Sequence, residues 1–174
     1  MTSNCNNRVH IILLICSVIV LAVSCTVSYS FSGARVSPLA KTFSVDYFQN
    51  RASIVQPTFS QDITDELIDK VKTQTSLKYT TDIGDVSFEG EITEYSNKPL
   101  TASSNYQAAT NRFTISIKVK FDNSVEPEYS FESSFSRYED YESSNDFSSV
   151  EAELSERIME LLVEDIFNKA FVTW

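Results

Sequence analysis

Cys25 is the residue whose type and setting point most directly to covalent chemistry. It follows Ser24, at the end of the uncharged run IILLICSVIVLAV over Ile11–Val23. The first ten residues are polar and carry one fixed charge, Arg8. A polar start, a short apolar stretch and a small residue before the cut form the layout of a secretory signal peptide. A cysteine directly after the cut is a candidate for acylation, as in the lipobox of bacterial lipoproteins. Leu21 stands four places before Cys25, where the usual box has three. Cys16 fits less well, because the bulky Ile15 precedes it and the apolar run continues beyond it. Two other readings compete. Thirteen residues of helix span about 20 Å, short of the roughly 30 Å hydrocarbon core, which argues against a permanent membrane helix. An ordinary export signal with an unmodified cysteine is the closer rival.

Cleavage there leaves residues 25–174, enough for one domain with a proper core. The expected organisation is a signal peptide over 1–24, a lipidated tether over 25–40 and a single domain over 41–174. Cys5 and Cys16 leave with the leader, so Cys25 becomes the last thiol and an internal disulfide is excluded. The single histidine, His10, leaves too. That removes Ser-His and Cys-His nucleophilic pairs and imidazole metal ligands. Carboxylate chemistry stays open. Glu139, Asp140, Glu142 and Asp146 crowd one segment and could meet Ca²⁺, but the EF-hand spacing and its turn glycine are missing, so a solvated acidic loop is expected. A glycosidase needs two carboxylates across a cleft, and every strand-borne acid here falls on a face expected to be open. With no Gly-rich phosphate loop or G-x-S-x-G elbow either, the chain is expected not to be an enzyme and to need no cofactor.

Charge narrows the partners. Loss of Arg8 takes the net charge from −10 to −11, and residues 122–165 alone hold 14 acids against 2 bases. A nucleic-acid partner is disfavoured, since binding needs a basic face against phosphate.

The elements that would position these groups are legible as periodicities. Residues 26–40 are small and polar and read as a tether. Phe43, Val45 and Tyr47 alternate with polar residues, as a strand does. Ser60 is placed to cap a helix over 61–76 with Ile63, Leu67, Ile68 and Val71 as its buried stripe. Three more strands follow. The first turns Val86, Phe88, Gly90 and Ile92 inward; the second Phe113, Ile115, Ile117, Val119 and Phe121; the third Tyr129, Phe131 and Phe135. Residues 97–107 and 138–147 read as polar connections. Ser148 or Ser149 would cap a last helix with the stripe Val150, Leu154, Ile158, Leu161, Leu162, Ile166, Phe167 and Phe171. The expected fold is α+β in the order β-α-β-β-β-α: two helices packed on one face of a four-stranded, mostly antiparallel sheet. Gly90, inward on its strand, marks helix packing or a bulge rather than a ligand contact.

The outward face of that sheet is rich in Ser, Thr and Glu, with Lys118 and Lys120 alternating on one strand. Solvent exposure explains it simply. Short polar side chains also let a partner come close, and a polar face suits the lumen of an outer-membrane β-barrel. The two lysines are candidate contacts for such a barrel or for a phosphorylated lipid head group.

Several segments, in order, then resemble one family. After Cys25 come Tyr29-Ser-Phe-Ser-Gly33-Ala34 and Phe43-Ser-Val-Asp-Tyr-Phe-Gln-Asn50-Arg51-Ala52. Phe88-Glu-Gly-Glu-Ile-Thr-Glu-Tyr95, Asn111-Arg-Phe-Thr-Ile115, Phe135-Ser-Arg-Tyr138 and Val163-Glu-Asp-Ile-Phe-Asn-Lys-Ala-Phe171 continue it. Together they resemble the lipopolysaccharide-assembly lipoprotein family LptE, in its Bacteroidetes-type form. The resemblance implies two helices on a four-stranded sheet and no catalysis. It implies a lipid-anchored place on the periplasmic face of the outer membrane, through acyl chains on Cys25. It also implies a plug for a large β-barrel partner, LptD-like, and a part in delivering lipopolysaccharide to the surface. Of the family's site residues only the acylated Cys25 carries over. The alternative is a free lipoprotein acting as a ligand-binding module, with a pocket between sheet and helices.

Overall fold

A computed structural model describes residues 36–53, 56–100 and 109–172. Cys25, the leader and the first part of the tether lie outside the described residues. Among the described residues six strands and two helices are formed: β1 (Thr42–Val45), β2 (Gln49–Asn50), α1 (Phe59–Gln74), β3 (Lys78–Tyr79), β4 (Val86–Leu100), β5 (Thr110–Asn123), β6 (Phe131–Glu142) and α2 (Phe147–Phe171). A short 3₁₀ turn, Pro127–Tyr129, links β5 to β6.

The sheet is larger than the four strands expected, and mixed. Its order is β3-β1-β4-β5-β6, with β2 pairing β4 beyond the end of β1. β4, β5 and β6 form the expected antiparallel meander. β1 and β2, however, run parallel to β4, and β3 runs parallel to β1. Parallel neighbours need a crossover connection, and α1 supplies it between β2 and β4. The two extra strands span two residues each, too few to show a period of two.

Both helices cover the same face of this sheet. Phe43, Phe88, Phe113, Ile115, Ile117, Val119 and Phe121 point into one core with Ile63, Leu67 and Val71 of α1 and Leu154, Ile158, Leu162, Ile166 and Phe171 of α2. Each such side chain contributes about 1.5–3 kcal/mol on full burial. These groups pack together between the sheet and the helices.

Local departures from the expected pattern have physical causes. Tyr47 was expected inward, but β1 stops at Val45; Tyr47 is half exposed and Phe48 is fully buried instead. Phe48 fits because Gly90 has no side chain: a Cβ there would stand 2.2 Å from the Phe48 ring. Gly90 thus marks a close approach to a loop residue, not to a helix. A bulge lies three residues on, between Ile92 and Glu94. It inserts Thr93 as an extra residue and shifts the alternation, so Glu94 turns out and Tyr95 turns in. β4 then continues to Leu100 through the segment expected as a connection. Pro99 is tolerated because the β1 and β2 pairings end at Ile92, leaving β4 an edge strand there.

The helix caps also differ. α1 begins at Phe59 after Thr58, with no side-chain cap, and Ser60 is buried inside the first turn. α2 is capped by Asp146, which accepts from the Ser148 N–H at 3.2 Å. On α2, Leu161 is 41% exposed, while Val163 and Ala170 complete the buried stripe. On β6, Phe131 and Phe135 are half-buried, and Tyr129 lies in the 3₁₀ turn. The first half of the expected loop over 138–147 is strand, since β6 runs to Glu142 and buries Tyr141.

Candidate functional site

The face of β4, β5 and β6 away from the helices is the surface on which the chain's polar pattern converges. Cross-strand register lines its side chains into rows. Glu89, Lys120 and Glu132 form one row; Glu91, Lys118 and Ser134 the next. Ser96, Thr114 and Tyr138 follow beyond the bulge, then Lys98, Arg112 and Asp140.

The two lysines singled out from sequence are brought together here, both about half exposed. Neither is a bare cation. Lys118 pairs with Glu132, and Lys120 donates to Glu89 at 3.2 Å. These hydrogen bonds, and the Coulombic attraction behind them, raise both ammonium groups above the ordinary lysine value and hold Glu132 below the usual carboxylate range. The lysines, with Tyr47, Arg51, Glu89 and Glu91, border a shallow concavity of about 360 Å³. Arg51 reaches into it, 3.7 Å from Glu91.

Sequence reasoning missed the other half of the face. Arg112 grips Asp140 with two hydrogen bonds, 2.7 and 2.9 Å, and its guanidinium lies 3.6 Å from the centre of the Tyr138 ring. Glu94 gathers Ser96 at 2.7 Å, Lys98 at 3.1 Å and Ser116 at 3.3 Å, and the Ser96 hydroxyl with the Lys98 ammonium holds it below the ordinary carboxylate value. Extending the alternation of Lys118 and Lys120 back along the strand would have reached Arg112. Glu94 was hidden by the bulge, and Tyr138 and Asp140 by the expectation of a loop.

The acidic cluster does not assemble. Glu139 and Asp140 point to opposite faces of β6; Glu139 lies 3.9 Å from Arg157 of α2, and Asp140 meets Arg112. No group of three or more potential metal ligands forms among the described residues. No described helix is long and apolar enough to cross a membrane.

Both faces carry more acids than bases. The helices hold ten acids and four bases. On the open sheet face, Lys98, Arg112, Lys118 and Lys120 each pair with an acid: Glu94, Asp140, Glu132 and Glu89.

The lipopolysaccharide-assembly family model, LptE, matches residues 40–170. The chain belongs to the LptE family. It is therefore a lipopolysaccharide-assembly protein of a non-enzymatic kind. No curated protein is similar in sequence. Solved structures share the fold at low identity. A neuraminyllactose-binding hemagglutinin homolog from Helicobacter pylori superposes with a TM-score of 0.52 at 6% identity, covering 81% of this chain and 88% of its own. A Xanthomonas campestris protein of family DUF330 gives 0.50 at 11%, covering 77% and 87%. A minor lipoprotein from Acinetobacter baumannii gives 0.49 at 12%, covering 75% and 91%.

Proposed function

We propose that this LptE-family chain is exported, acylated on Cys25 and held at the periplasmic face of the outer membrane. There its open sheet face lodges against the lumen of an LptD-like β-barrel, which it helps to assemble and to supply with lipopolysaccharide. The observation that carries this reading is the family match over the whole described domain. The surface chemistry agrees with it. A barrel lumen is polar, and the face offered to it is paved with short Ser and Thr side chains and internally paired charges. Contact there buries little apolar surface and leaves few charges without a partner. Lys118 and Lys120 take the second role proposed for this face: exchanging Glu132 and Glu89 for a phosphate of the lipid.

The test is cross-linking in outer membranes with a photoreactive residue at Ser116, in the middle of the face. The expected product is an adduct with a barrel-forming membrane protein. Full recovery of the chain from membranes without any barrel would overturn the plug reading. Mass spectrometry of the mature N-terminus checks the anchor separately: an unmodified Cys25 removes it.

A further inference from the structure

The exposed apolar side chains of this domain are not evenly spread. Eight large ones are exposed among the described residues, and five of them, Leu39, Tyr79, Ile83, Tyr129 and Val172, sit at one end of the fold. β1, β3 and β4 run parallel and start at this end, β5 finishes here beside Val86, and the 3₁₀ turn leads back into β6. Both helices finish here too. α1 leads into β3, and the Phe171 ring of α2 packs 6.1 and 5.8 Å from those of Phe88 and Phe121. β4 continues to Leu100, about 45 Å away at roughly 3.3 Å per residue.

Exposure here comes with a tied backbone. Ile83 is 93% exposed and Leu39 71%. Gly84 N–H donates to Ser44 Oγ at 3.2 Å, and a Cβ on Gly84 would stand 2.7 Å from the Phe43 backbone. Asp85 accepts from the Lys41 N–H at 2.8 Å, which sets the segments carrying Ile83 and Leu39 side by side. Ala40, next to Leu39, is buried. Held in this way, both apolar side chains stay outside the core.

The cations follow the same distribution. Lys41, Lys78 and Lys169 are exposed, lie at this end and form no ion pair. Every other described lysine and arginine forms one. Asp82, Asp122, Glu126 and Glu128 share the end, so its charge is mixed. Phospholipid head groups, with a phosphate beside an ammonium, match such a surface.

The route of the chain selects the occupant. Residues 26–35 join this end to Cys25 and reach at most about 40 Å when extended, so acyl chains on Cys25 draw this end, and not the far one, to the membrane. We infer that this end docks on the phospholipid leaflet that holds the acyl chains. Leu39, Ile83 and Val172 enter below the head groups, and Tyr79 and Tyr129 lie at head-group level, where tyrosine is favoured. One acyl chain anchors only marginally, and a protein contact supplies a second signal. The inference rests on the acylation of Cys25 but not on the barrel, and it leaves the open sheet face to a partner.

The test uses the acylated protein in vesicles of phosphatidylethanolamine and phosphatidylglycerol. Acylation blocks Cys25, so Leu39→Cys, Ile83→Cys or Ser144→Cys each gives the mature chain a single free thiol for an environment-sensitive dye. Ser144 is exposed at the far end, between β6 and α2. The dyes at 39 and 83 should shift to the blue and lose emission to brominated acyl chains, and the dye at 144 should do neither. Leu39→Glu added to the Ile83→Cys protein should remove most of that quenching with the circular dichroism spectrum unchanged. Vesicle flotation reads the anchor separately. Protein that fails to float overturns the anchor and this contact together. Floating protein with solvent-like emission at 39 and 83, equal quenching at all three positions, or quenching indifferent to Leu39→Glu would overturn this contact alone.

Discussion

Gly90 of β4 and Phe48, three residues past β1, occupy one space: the missing side chain of the first is the room for the ring of the second. Phe48 is wholly buried, so its ring cannot swing aside cheaply. Gly90→Ala is expected to destabilise the fold by about 1–3 kcal/mol. Urea denaturation of the single variant, of Phe48→Ala and of the double variant checks this. Because the two positions touch, the losses should be less than additive.

Asp85 ties the start of β1 to the turn before β4. Its carboxylate accepts from the N–H groups of Lys41 and Thr42, at 2.8 and 2.9 Å, and from the Thr42 hydroxyl at 2.9 Å. These bonds, led by the Lys41 N–H, hold it below its ordinary value of 3.8. A carboxyl depressed by folding stabilises the native state above its unfolded pKa, and the contribution is lost as pH falls through the lower folded value. Asp85→Asn should therefore lower the melting temperature at neutral pH and make little difference well below pH 3.8. Equal loss at both pH values would show that the carboxylate charge is not what matters.

Tyr95, turned inward by the bulge, donates its hydroxyl to Glu151 of α2 at 2.6 Å. Burial raises its phenol well above the ordinary value, with the Glu151 bond adding to the effect. Tyr95→Phe should cost about 1–3 kcal/mol, as for a hydrogen bond to a charged group. In an alkaline spectrophotometric titration one tyrosine should ionise later than the rest, and the variant should lack it.

Asp146 caps α2 through the Ser148 N–H. Asp146→Ala should cost about 1 kcal/mol, and Asp146→Ser much less, because serine also caps well. Thermal unfolding distinguishes them.

Lys118 and Lys120 sit on the open face in solvent-accessible ion pairs, and such pairs add little to stability. Lys118→Gln with Lys120→Gln should leave the melting temperature unchanged. It should reduce retention of lipopolysaccharide by purified protein, measured at low and high salt, since a phosphate contact weakens with screening. Unchanged retention at low salt would remove both residues from the proposed lipid contact.

The amino-acid sequence determined much of this by periodicity. Inward alternation along β4 and β5 and the 3–4 spacing of Ile63, Leu67 and Val71 are local facts, and local steric rules read them directly. The ordered segments were enough for family membership. Tertiary structure decided the rest, because it depends on what meets across the chain. Two-residue strands exist only because β4 and β1 are there to pair with them. A bulge shows no period of its own, yet it chose Tyr95 over Glu94 for the core. Phe48 rather than Tyr47 is buried because Gly90, more than forty residues away, leaves the space. Lys118 and Lys120 could be seen from sequence as two charges on one face. That each already holds a glutamate from a neighbouring strand could only be settled once the strands had taken their register.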